Sequence, residues 1–79
     1  MAPANNMVNP ESKVSEAHQR KRVNLARLEA DLAYFQARLE MIGQPGSTNQ
    51  LAQHKVFMLL SESTGAKVAE AEQAVSEMF

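Results

Sequence analysis

The sequence predicts an all-α antiparallel helical hairpin with coiled-coil-like packing. Three observations carry this. Two stretches of similar length, residues 10–42 and 48–79, flank a short segment holding Gly43, Pro45 and Gly46. The first stretch repeats large apolar residues at alternating spacings of three and four, the period of a heptad seam. The second opens on a sequence that caps its own amino end.

Taken in order, residues 1–9 are small, polar and aperiodic, and are expected to form a disordered amino-terminal arm. They have neither the basic start nor the apolar stretch of a secretory signal. The helical hairpin domain is expected over residues 10–79. Asn9 is a capping residue type, Pro10 suits the first helical position because its missing N–H is an orphan there, and Glu11 favours the positive end of the helix dipole. No glycine or proline then interrupts the chain until Gly43. Within this helix Leu25, Leu28, Leu32, Phe35, Leu39 and Ile42 form the predicted intramolecular seam. Towards the amino end the same seam turns polar, through Lys21 and His18 to Val14. A second face carries Ala26, Ala30, Ala33 and Ala37. Small side chains there would let another helix approach closely, although alanine also fills solvent faces by helix propensity alone.

Over residues 43–47 Gly43 suits the left-handed position after a helix, and Pro45 forbids continuation. Ser47 and Gln50 form a capping box for the second helix, expected over residues 48–79. Its apolar residues are broad in distribution: Leu51 and the run Val56, Phe57, Met58, Leu59 and Leu60, then a 3–4 seam of Val68, Ala71, Val75 and Met78. Residues 61–65 are weak helix formers, so a bend near Gly65 in a continuous helix is favoured over a break there. Folding the chain about Pro45 places Leu32 opposite Met58 and Leu59, Leu39 opposite Leu51, and the basic run at residues 18–22 opposite Glu70 and Glu72.

Composition narrows the function. Eight Lys and Arg against nine Asp and Glu give a net charge of −1, which argues against a nucleic-acid binder. The absence of cysteine removes disulfides, thiolate metal sites and cysteine nucleophiles, and a cytoplasmic setting is the expectation. The strictly apolar run at residues 56–60 is far shorter than the roughly 18 residues of a membrane span. His18 and His54 fall about 27 Å apart in a hairpin of 1.5 Å rise per residue, so they cannot share a metal. There is no phosphate-cradling loop, and Ser61 and Ser63 have no nearby histidine base. The expectation is a protein without enzymatic activity, cofactor, metal, membrane or small-molecule substrate.

What remains is recognition of another helix. A lone hairpin satisfies one side of each helix, which leaves Ala26, Ala30, Ala33 and Ala37 with Val56, Phe57 and Leu60 as the predicted partner-binding residues. Arg27, Leu28, Ala30, Leu32 and Ala33, followed by Leu39, Glu40 and the turn at Pro45, resemble the small helical-hairpin subunit of type III secretion needle chaperones. The resemblance implies a cytoplasmic co-chaperone that binds a larger helical-repeat protein and restrains the needle subunit from polymerising. The rival expectation is a self-assembling structural hairpin, either a homodimeric four-helix bundle or a filament or needle-like subunit.

Overall fold

The computed structural model describes residues 10–78, the first three by backbone alone. The arm expected over residues 1–9, the Asn9 cap and Phe79 lie outside the described residues. The fold is an all-α helical hairpin of two packed helices, α1 (Pro10–Ile42, 33 residues) and α2 (Thr48–Ser76, 29 residues). At 1.5 Å per residue they run about 50 Å and about 44 Å.

The turn follows from three residues. Gly43 adopts φ +59°, the left-handed region that a side chain disfavours. Its N–H donates to the Leu39 carbonyl at 3.0 Å and closes α1 with a left-handed cap. On the other side Ser47 is the N-cap of α2, in extended backbone conformation, and its hydroxyl accepts from the Gln50 N–H at 3.1 Å. Gln50 answers through Oε1, which accepts from the Gly46 N–H at 2.8 Å. The reciprocal pair therefore forms as the sequence implies, with the return bond made one residue before the cap.

Helix α2 is continuous through Gly65, so neither end of residues 61–65 terminates a helix. Its carboxyl end comes earlier than residue 79. The helix stops at Ser76, where the Glu77 N–H donates to the Gln73 carbonyl and the Met78 N–H to the Val75 carbonyl. No glycine or proline marks this end, which is why the sequence alone did not place it.

The two helices meet along paired seams. On α1 the inward line is the expected one: Leu25, Leu28, Leu32, Phe35, Leu39 and Ile42 are all half-buried, and His18 continues it. On α2 the inward line is His54, Phe57, Ser61, Thr64, Val68, Ala71, Val75 and Met78, each half-buried or buried, again at alternating spacings of three and four. Its second half matches the sequence reading; its first half does not. Leu51, Met58 and Leu59 were expected opposite Leu39 and Leu32, yet all three are exposed. Phe35 instead packs against Phe57, with ring centroids 6.2 Å apart. The Phe35–Phe57 pair sets the register about two residues from the expected one, and Glu70 lines a surface groove with Asn24, Leu28 and Lys67.

The seam is thin. Only Ala71 and Thr64 are buried among the described residues, and no large side chain is fully enclosed. The Ser61 hydroxyl oxygen is buried in it without a hydrogen-bond partner.

Candidate functional site

A hairpin in which each helix uses one heptad seam should be polar elsewhere. This one is not. Tyr34, Met41, Leu51, Val56, Met58, Leu59 and Leu60 are all exposed, Met41 to 76% and Leu59 to 66%. All seven lie in the half of the hairpin nearer the turn. Between Val56 and Leu60, α2 carries apolar side chains in every direction: Phe57 points at α1, Met58 and Leu60 flank the seam on either side, and Leu59 points away from it. A run of helix whose apolar side chains project off the seam exposes more apolar surface than one partner helix covers.

One flank has a defined construction. Tyr34, Phe35 and Phe57 form an aromatic cluster, with the Tyr34 ring edge-on to both phenylalanines at centroid distances of 5.8 and 6.4 Å. The Arg38 guanidinium lies 5.4 Å above the Phe57 ring, an arrangement that favours the cation electrostatically. Its Nε is buried and makes no hydrogen bond, and no carboxylate among the described residues pairs with it. Arg38, Ala52, Gln53, Val56 and Phe57 line a shallow groove of about 360 Å³ beside this stack. Leu60, one turn beyond Val56, extends the same flank on α2, and Asp31, three residues before Tyr34, extends it on α1.

The sequence-predicted partner-binding residues separate into two groups. Ala26, Ala30, Ala33 and Ala37 are all exposed, on the side of α1 turned away from α2, with Val23 continuing the row. Val56 and Leu60 are exposed beside the Arg38 groove. Phe57 is the exception. Expected on the unpartnered surface, it is half-buried at the α1–α2 seam because the register brings it under Tyr34, Phe35 and Arg38. Tyr34, Arg38, Leu51, Met58 and Leu59 were missed as site residues. The signal was present for Leu59, because a run of five apolar residues must place some of them off any single seam.

The two histidines lie on the inward lines of the two helices toward opposite ends of the hairpin, His18 also lining a surface groove with Ser15, Gln19 and Arg22. No group of three metal-ligating side chains occurs among the described residues. No helix among them is long and apolar enough to cross a membrane. No protein-family model, curated protein or solved structure matches this chain.

Proposed function

We propose that this chain is a non-enzymatic helix-recognition module whose turn-proximal half is completed by helices from other chains. The observation that carries this reading is the apolar run from Val56 to Leu60, whose exposed members Val56, Met58, Leu59 and Leu60 project to both flanks and the outer side of α2 in a hairpin that covers one side only. Contiguous apolar surface of this kind is rarely left to water on a monomer. The Ala26, Ala30, Ala33 and Ala37 row offers a second, smooth helix surface on which a partner backbone could approach closely. Within this reading the sequence resemblance supplies a narrower proposal: a cytoplasmic type III secretion co-chaperone subunit whose partner is a larger helical-repeat protein. The self-assembling hairpin is the second reading, favoured by the unsatisfied Arg38 on an apolar flank.

Leu59→Arg tests the recognition reading. Leu59 points away from α1, so the variant should keep the helicity and melting temperature of the free hairpin within about 0.5 kcal/mol. Retention of a helical partner from the native cells, measured by quantitative pull-down, should fall by roughly 30-fold, the equivalent of about 2 kcal/mol for a central contact. Undiminished retention by the variant, or none by the unaltered chain, contradicts the reading.

A further inference from the structure

We infer that the flank bearing Arg38 is a two-fold interface with a second copy of this chain, in which Arg38 of each copy pairs with Asp31 of the other. This rests on the helix-recognition reading and names the occupant of one of its faces.

Charge placement selects the occupant. Arg38 and Asp31 are seven residues apart on α1, two turns of helix, so both lie on the same flank about 10 Å from each other along the axis. Neither pairs with a charged group within the chain among the described residues, and Arg38 is held over Phe57 with its Nε unsatisfied. If two copies lie face to face with α1 antiparallel to α1, a two-fold axis passing beside Tyr34 and Phe35 brings Arg38 onto the opposite Asp31, twice. Such a surface is self-complementary, as an isologous dimer requires. The parallel alternative stacks α1 on the opposite α2 with the turns together. Arg38 would then meet Gln53, Val56 and Leu60, none of which is an acceptor of opposite charge.

The apolar residues occupy the right places. Tyr34 sits on the axis, 57% exposed and braced by two aromatic neighbours. A pre-ordered tyrosine of this kind contributes contact area with little further loss of side-chain freedom. Val56 and Leu60 flank it on α2. The overlap runs from the turn back to about residue 24, roughly 30 Å of a hairpin about 20 Å wide. That gives about 600 Å² per copy, about 1,200 Å² in all, the lower edge of stable interfaces. A dimer dissociating in the micromolar range is the expected strength. Leu59, with Ala26 and Ala33 on the outer side of α1, points away from this flank and stays open to a different helix, while Ala30 and Ala37 border Tyr34.

Sedimentation velocity of the full chain from 1 to 200 µM tests the inference. The unaltered chain should pass from monomer to dimer across this range. Arg38→Glu and Asp31→Lys should each weaken the dimer at least tenfold while far-ultraviolet circular dichroism keeps its helical amplitude. An equimolar mixture of the two variants should dimerise again, because each then meets an opposite charge at both contacts. If either reversal lowers helicity, Arg38→Gln and Asp31→Asn take its place, each expected to weaken the dimer at least threefold. A chain that stays monomeric, a dimer indifferent to these substitutions, or a mixture that fails to re-form overturns the inference. None of these outcomes touches the Leu59 test, on which the recognition reading stands or falls separately.

Discussion

At Gly43 the backbone sits at φ +59°, while a methyl group at Gly65 would meet no atom within 4 Å. The same residue type therefore has opposite consequences at the two positions. Gly65 lies inside α2 at ordinary helical dihedrals, where it gives up conformational entropy on folding without using its freedom. Gly65→Ala should stabilise the hairpin by about 1 kcal/mol, a rise in melting temperature of roughly 4–8 °C for a domain of this size. Gly43→Ala should cost about 1–2 kcal/mol, because a Cβ in the left-handed region meets the following carbonyl. Thermal melts of the two variants side by side check both signs. The buried, unpartnered hydroxyl of Ser61 belongs to this scale too: it marks a position where the seam accepts a small polar group in place of a packed apolar one.

At the scale of the element, Leu32 occupies the middle of the α1 seam, half-buried against α2. Leu32→Asp replaces that contact with a carboxylate that has no partner there, and costs several kcal/mol in lost burial and desolvation. A small domain has about 5 kcal/mol to lose, so the variant should be unfolded at 25 °C by circular dichroism. A helical variant with an unchanged melt would show that the seam is not the core. The α1 seam was legible in the sequence because its members are large and apolar at strict 3–4 spacing, and the turn was legible because Gly43, Pro45, Ser47 and Gln50 each have one well-defined local role. The amino half of the α2 seam was not. His54, Ser61 and Thr64 face inward, while Leu51, Met58 and Leu59 face out, so hydrophobicity there marks the wrong side of the helix. Periodicity reports the intramolecular seam only when that seam is the most apolar surface an element has. In α2 another surface competes with it, and that competition is the mark of the candidate site. The Tyr34, Phe57 and Arg38 cluster was illegible for a different reason, since it depends on a register that sequence spacing fixed only to within a turn.

For the molecule as a whole, two helices form a single layer with no large side chain fully enclosed among the described residues. A fold of this kind gains what it lacks in core from whatever binds its native state, because a ligand that selects the folded form adds its binding free energy to stability. The apolar, turn-proximal half is where such binding would act, and the alanine row offers a second contact of small residues. Site-specific photocrosslinking in the native cells tests this most directly. A photoreactive phenylalanine at Leu59, at the centre of the outward apolar surface, is compared with one at Glu16, exposed near the open end. A discrete adduct with a helical chain is expected from Leu59 and none from Glu16. No adduct from Leu59, or equal yields from the two positions, would contradict it.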